Sequence, residues 1–349
     1  MMHSENELND YNDFEQARVL TVPSDLAGER LDAALAKMLP EFSRNRLSTW
    51  IKDGLVFLNG NPAVPKTKLW GGETISVLPQ PEADESAFQP EDIELDIIYE
   101  DATLLVLNKA PGLVVHPGTG NWTGTVLNGL LHRYPELKTI PRAGIVHRLD
   151  KDTSGLMVIA RTLMAQNSLV QQLQARTVKR HYMAIAQGLL SNDGKVDAPI
   201  GRHPKERIKM AVVYSGKHAV THYKIREHFT AHTLVECQLE TGRTHQIRVH
   251  MAHINHPLAA DPIYGGKPRI HSPEVSITLG EFARQALHAR KLSLIHPETG
   301  KTMTWKAPLP EDMDMLVNVL RLDAGMLEED WDDDWDVDDS DCEVMYVRE

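Results

Sequence analysis

The stretch Gly144–Ala160, GIVHRLDKDTSGLMVIA, constrains the fold of this chain more than any other. Two apolar runs, Ile145-Val146 and Leu156–Ile159, enclose a polar stretch in which Asp150 sits among the bases His147, Arg148 and Lys151. The second run reads as a buried strand, and Thr153-Ser154-Gly155 as the turn leading into it. Asp150 is thereby expected where the backbone leaves one strand and enters another, a position that suits catalytic loops. A carboxylate beside a cation stays ionised at neutral pH and can act as nucleophile or base. An Arg–Asp pair that only braces a turn fits the same residues.

At 349 residues the chain has room for two or three domains. It holds no run of eighteen apolar residues, which argues against a membrane span. The opening MMHSENELND lacks the basic and apolar regions of a secretory leader. Cys237 and Cys342 are far apart with no CxxC spacing, which fits a reducing compartment and gives no cysteine zinc site. A cytoplasmic protein is expected.

The net charge of −12 argues against a nucleic-acid partner until its distribution is considered. Residues 326–349 carry twelve acids and one base, and residues 1–17 carry five acids and no base. Setting both ends aside leaves the body at +4. Within it, Arg202–Arg226 holds seven bases against Glu206 alone, a local surface compatible with phosphate contacts. The two acidic ends read as disordered.

From Arg18 the pattern predicts a small α+β unit ending at residue 78. Val19–Val22 reads as a strand, and Arg30-Leu31-Asp32 opens a helix with Leu31, Leu35 and Met38/Leu39 on one face. Ser43 is an expected N-cap for a second helix, Arg44–Lys52, stopped at Gly54. Asn59-Gly60 marks a hairpin. The helix pair offers Arg44, Arg46 and Lys52 as an RNA-facing set. Residues 79–92, with three prolines and five acids, read as a linker. Residues 93–325 form the larger domain. Its strands are expected at Ile97–Tyr99, Leu104–Leu107, Lys179–Gly188, Ala219–His228, Thr233–Glu240, Lys291–His296 and Lys301–Lys306, with helices at Leu163–Arg176, after Thr241 and at Glu311–Leu322. Along Lys179–Gly188, Tyr182, Ala184 and Ala186 share one face. In the helix after Thr241, Ile247, Met251 and Ile254 make the buried stripe and Arg248 lies off it. Histidines 245, 250 and 253 fall on different helix faces and form no HExxH, so no metal is expected.

Several motifs occur together and in order. HRLDKDTSG, the Lys109–Pro117 stretch KAPGLVVHP, the Tyr182 setting K/RxYxA and TGRTHQIRVH closely resemble the pseudouridine synthases that modify ribosomal and transfer RNA. RLD, the SR pair, IKDGLVFLNG and GGETI resemble the S4 RNA-binding domain over about residues 28–77. The nearest likeness within the family is its large-subunit ribosomal RNA D type, which modifies uridines in the helix 69 loop of 23S RNA. That resemblance implies an α+β fold: an S4-like domain, then a catalytic domain on a mixed, largely antiparallel sheet with flanking helices. It also implies that Asp150 is catalytic, that Tyr182 lies against the target base, and that Arg248 pairs with Asp150. Arg148, with His147 and Arg243 beside it, would bind the RNA. The chain departs from the family with Ala110 before the proline-glycine step and Ala260 before Asp261, where glycine is usual.

The implied reaction breaks the N1–C1′ bond of uridine, turns the uracil and joins C5 to C1′. The leaving base remains as the new nucleophile, so one carboxylate suffices where glycosidases use two. No metal, redox step or cofactor is needed. The expected partner is large-subunit ribosomal RNA or a pre-ribosomal particle, met by a monomer. Two other readings share these residues: an S4-type assembly factor without catalysis, and an N-glycosidase that releases free base.

Overall fold

The computed structural model describes residues 18–77 except 41 and 53, and residues 88–327 except 119–120, 207–208 and 267–271, with Trp331 and 343–346. The chain divides into two compact units between Asp84 and Glu85. The acidic N-terminus and residues 79–87 of the expected linker lie outside the described residues. Residues 88–92 belong to the second unit by their bonds: Asn128 Nδ2 donates to Gln89 O, and Glu91 accepts from Gly124 N–H.

In the first unit, β1 (Arg18–Thr21), β4 (Thr74–Val77), β2 (Val56–Leu58) and β3 (Asn61–Pro62) form an antiparallel sheet in that order. Helices α1 (Leu31–Met38) and α2 (Arg44–Lys52) lie where the periodicity predicts, with Leu31, Leu35, Leu47, Trp50 and Ile51 buried in one core. Ser43 Oγ accepts from Arg46 N–H at 3.3 Å, as an N-cap should. Asn59 and Gly60 have φ of +49° and +79°, the left-handed pair a two-residue hairpin requires.

The second unit is built on a ten-stranded mixed sheet. Its path runs β5 (Ile97–Glu100), β6 (Leu104–Lys109), β7 (Ser154–Ala160), β14 (Leu287–Ile295), β8 (Lys179–Gln187), β13 (His232–Leu239), β12 (Val220–His228), β9 (Gly194–Asp197). Strand β15 (Thr302–Lys306) pairs with β14, and β16 (Glu343–Tyr346) with β15. Among the described residues the parallel strand pairs of this sheet are β7–β14 and β15–β16. A hairpin of β10 (Ile200–Arg202) and β11 (Met210–Val212) stands apart. The helices are α3 (Val126–Arg133), α4 (Leu163–Gln174), α5 (Gln246–His253), α6 (Pro273–Phe282) and α7 (Glu311–Asp323).

The Asp150 segment differs from its sequence reading in two ways. Ile145 makes only an isolated bridge to Ile159, so Ile145-Val146 is not the strand expected immediately before the Asp150 loop. Ser154 and Gly155 already belong to β7, which is buried along its whole length between β6 and β14. Gly155 adopts φ +112°, and a Cβ there would lie 2.3 Å from Ala289 O on β14. Only glycine lets the two parallel strands approach at the point where the Asp150 loop ends.

Two other elements differ from their sequence reading. Leu287-His288-Ala289 begins β14 rather than preceding it, with a register shift before Lys291. Glu343–Tyr346 is a strand, contrary to the expected disorder of 326–349: beyond the acidic block the chain turns apolar and adds to the open edge of β15. The rest of that tail, 328–330, 332–342 and 347–349, lies outside the described residues. Ala260 adopts φ +52°, the left-handed region that favours glycine, so the alanine does not remove the turn before Asp261.

Candidate active site

Asp150 lies in the loop entering β7, and its carbonyl accepts the Thr153 N–H to close the turn. That loop is pinned from below by Lys109, 2 % exposed at the end of β6. Its three N–H donors meet three carbonyls, Ala110 O at 2.7 Å, Leu113 O at 2.9 Å and Lys151 O at 2.8 Å. Burial pushes the Lys109 ammonium down to about 7, against the pull of Asp152 and Asp150.

Arg248 comes from α5, whose residues Gln246–Met251 are all buried. Its position off the apolar stripe is as expected, but it points into protein and not to solvent. Gln246 fixes the helix start: its amide accepts from Arg243 N–H and Thr241 Oγ1 and donates to Val220 O and Thr221 Oγ1 on β12. Arg248 then forms a two-pronged pair with Asp261, Nε to Oδ2 at 2.7 Å and Nη2 to Oδ1 at 2.8 Å. Its remaining arm, Nη1, donates to Asp150 Oδ2 at 3.2 Å. Burial opposes the guanidinium's charge, but the hydrogen bonds and charge of Asp261, then those of Asp150, raise Arg248 above its ordinary value. Asp150 is thus held by one oxygen; among the described residues its Oδ1 accepts no hydrogen bond.

His245 Nε2 lies 4.0 Å from Oδ1. His245 precedes α5 in the left-handed region at φ +56°, a strained placement for a side chain larger than glycine. Its Nδ1 lies 2.8 Å from Tyr264 Oη, which accepts from Met210 N–H on β11. Burial lowers the His245 pKa, with Asp150 opposing and Arg248 assisting, so the ring is neutral at pH 7.

Tyr182 stands on β8, 5 % exposed, in the same core as Ala184 and Ala186, which is the face alternation predicts. Burial raises its phenol, so it is not a base at neutral pH. Tyr182, Asp150, Arg248, His147, Arg148 and Arg243 all line one cavity of about 1300 Å³. Arg148 is exposed and has no hydrogen bond or ion pair among the described residues, while Arg243 Nε donates to His218 O.

His147, expected to bind the RNA, has one ring nitrogen engaged within the fold. Its Nε2 accepts the Val158 N–H of β7 at 3.1 Å, and burial of the ring nitrogens pushes it down to about 3. It is a neutral strut between loop and strand. The basic stretch 202–226 is also partly neutralised: Lys209 pairs with Glu206, and Arg226 with Glu236. In the first unit Arg44 is tied to Asp32 at 3.0 Å, Arg46 lies over the rings of Phe42 and Trp50, and Lys52 is exposed. Asp261, His245, Tyr264 and Lys109 are not residues that the sequence assigns to the site; only DPIYGG, following the HQIR helix, hints at Asp261.

A held carboxylate with one free oxygen, beside a buried aromatic and open to exposed cations, can attack or deprotonate one nucleoside at a time. Residues 103–253 match the RNA pseudouridylate synthase family, and residues 29–75 match the S4 domain. A protein of Neisseria meningitidis serogroup B named ribosomal large subunit pseudouridine synthase D is 55% identical over 99% of this chain and 98% of its own. The protein of that name in Escherichia coli K12 is 54% identical over 87% of this chain and 94% of its own. The chain belongs to the RNA pseudouridylate synthase family. Among solved structures, human RNA pseudouridylate synthase domain containing 4 is similar, at 29% identity and TM-score 0.51, over 65% of this synthase and 93% of that chain. The synthase is therefore an isomerase that makes pseudouridine in RNA, with an S4 domain ahead of its catalytic domain. No helix among its described residues is long and apolar enough to cross a membrane.

Proposed function

We propose that this synthase isomerises uridines of large-subunit ribosomal RNA, in the helix 69 loop of the 23S molecule, after turning each out of its stack. In this reading Asp150 is the catalytic carboxylate, Arg248 orients it, Tyr182 lies against the uracil and Arg148 holds the opened RNA. The S4-like unit adds affinity through Arg44, Arg46 and Lys52. The names of relatives 53–56% identical to this chain support the choice of RNA.

The observation that carries the reading is the convergence of Asp150 and Tyr182 in one cavity, with Tyr182 almost wholly buried. A uracil stacked in a helix cannot reach such a residue, so the nucleotide has to swing out first. The test is release of tritium from [5-³H]uridine in 23S RNA, since C5 exchanges its hydrogen for C1′. Release from RNA containing helix 69, and loss of release when its loop uridines are replaced by cytidine, is the expected result. Free uracil among the products would instead identify a hydrolase.

A further inference from the structure

The buried arginines of the catalytic unit have carboxylates to match: Arg248 with Asp261, Arg284 with Asp312 and Arg321 with Glu227. Arg180 is different. It is 8 % exposed, its Nε is sealed from solvent without a partner, and among the described residues it makes no hydrogen bond or ion pair. An uncompensated guanidinium in the interior is costly unless a ligand completes it.

Its position says which part of a ligand it meets. Arg180 lies two residues before Tyr182 on β8 and so shares its face of the sheet. Both line the cavity that contains Asp150. A Cβ on Gly242 would lie 2.8 Å from Arg180 Nη1, so the guanidinium passes over a backbone kept bare for it. Its charge acts on the Tyr182 phenol and the His147 ring, which places it among those residues. The exposed cations of the same cavity, Arg148 and Arg243, suit the phosphates of an RNA strand that must pass in and out. The buried one suits the base.

We propose that Arg180 is a catalytic residue that donates to a carbonyl edge of the flipped uracil and stabilises the negative charge the ring gains when N1–C1′ breaks. The electron pair of that bond passes to uracil and is shared by N1 and the ring carbonyl oxygens; C1′, left electron-poor, is held beside the Asp150 carboxylate until C5 supplies the pair for the new bond. After the ring turns, C5 bonds to C1′, the C5 proton leaves to water and N1 takes one up, so the product is an isomer. A planar guanidinium matches a carbonyl edge, and it acts most strongly in a site closed to water. The proposal rests on Asp150 acting on a flipped uridine.

The test measures tritium release and RNA binding by Arg180→Ala, Arg180→Lys and Gly242→Ala, with 23S RNA as substrate. Arg180→Ala is expected to lower kcat about 100-fold, the usual cost of one lost charge-stabilising donor. RNA affinity should stay within about two-fold, because the phosphate contacts remain. Millimolar guanidinium chloride should restore part of the rate of Arg180→Ala and none in the parent enzyme. Gly242→Ala, which displaces the guanidinium without removing it, should also lower kcat, and this variant and Arg180→Lys decide the matter if Arg180→Ala does not fold. Weaker binding at unchanged kcat would make Arg180 a phosphate ligand and overturn the proposal, as would unchanged kinetics. Absence of tritium release by the parent enzyme would instead contradict the proposed function itself.

Discussion

The two units of the synthase each contain a three-membered cluster of arginines and aspartates, built with opposite polarity. In the S4-like unit one carboxylate, Asp32, is shared by two arginines, Arg30 and Arg44, each at 3.0 Å. In the catalytic unit one guanidinium, Arg248, is shared by two carboxylates, Asp261 and Asp150. Asp32 has a side chain 8 % exposed, while its arginines are 45 % and 54 % exposed. Arg248 and Asp261 are 4 % and 0 % exposed, and Asp150 is 18 % exposed. Buried acid with solvated bases makes a surface that presents positive charge, which suits a polyanion of variable shape. Buried base with a buried acid makes a fixed mount from which one carboxylate oxygen protrudes, which suits a single reacting atom. Affinity and chemistry thus call for the same ion pairs turned inside out.

The largest effect expected from breaking this contrast is at Asp261. Asp261→Asn leaves Arg248 buried with its two-pronged partner gone, a loss on the order of 3–5 kcal/mol, and frees Asp150 from its orientation. Activity should fall by at least about 100-fold, the scale of a misplaced reacting group. Asp32→Asn is the matching change in the other unit. Burial raises the Asp32 carboxyl, and Arg30 and Arg44 more than reverse this, so the acid is held below its ordinary value. Both arginines are close to half exposed, so water replaces what they lose and the cost should be about 1 kcal/mol or less. Urea unfolding of the full chain, followed by hydrogen exchange at Val158 and at Leu35, separates the two. Equal costs would break the comparison.

The units should also differ in acid. His288 on β14, hydrogen-bonded through Nδ1 to Ser154 Oγ at 2.9 Å, is 1 % exposed and pushed by burial down to about 3. The unfolded chain takes up a proton there near 6.5 and the folded one does not until about 3. Stability from this group is therefore complete above 6.5 and falls as pH drops from 6.5 toward 3, by about 1.4 kcal/mol per pH unit. His147 adds to the same limb. Residues 18–77 contain no histidine. Between pH 6.5 and 5, protection of Val158 should fall while that of Leu35 changes little, and His288→Asn should make the Val158 slope shallower. An unchanged slope would count against a neutral buried His288.

The smallest effect concerns Arg148, exposed at the cavity. Arg148→Met should weaken RNA binding several-fold and reduce the salt slope by about one, as for one lost phosphate contact. An unchanged slope would remove Arg148 from the RNA surface.

What the sequence revealed follows the range of the interactions. Helix α2, with Ser43 as cap and Leu47 and Ile51 inside, and the face shared by Tyr182, Ala184 and Ala186 depend on near neighbours, and both lie where periodicity puts them. Helix α6 is not legible by periodicity, because Ile277 is 61 % exposed and interrupts the apolar face. The pairing of Asp150 and Arg248 follows from the resemblance, but the dominance of Asp261 over it does not. Asp261 is placed by the left-handed turn at Ala260, which propensity disfavours and packing imposes. His147 was legible as a base near Asp150 and not as a neutral strut, because its partner Val158 is a backbone N–H eleven residues away.

In the proposed mechanism the free oxygen of Asp150, with the other held by Arg248, performs the isomerisation. Asp150→Asn keeps the shape and the Arg248 contact through its amide oxygen while removing the charge. Tritium release from [5-³H]uridine in 23S RNA by this variant should drop at least about a thousand-fold, with RNA affinity nearly unchanged. Turnover by Asp150→Asn within ten-fold of the parent enzyme, in the same assay, would contradict the account.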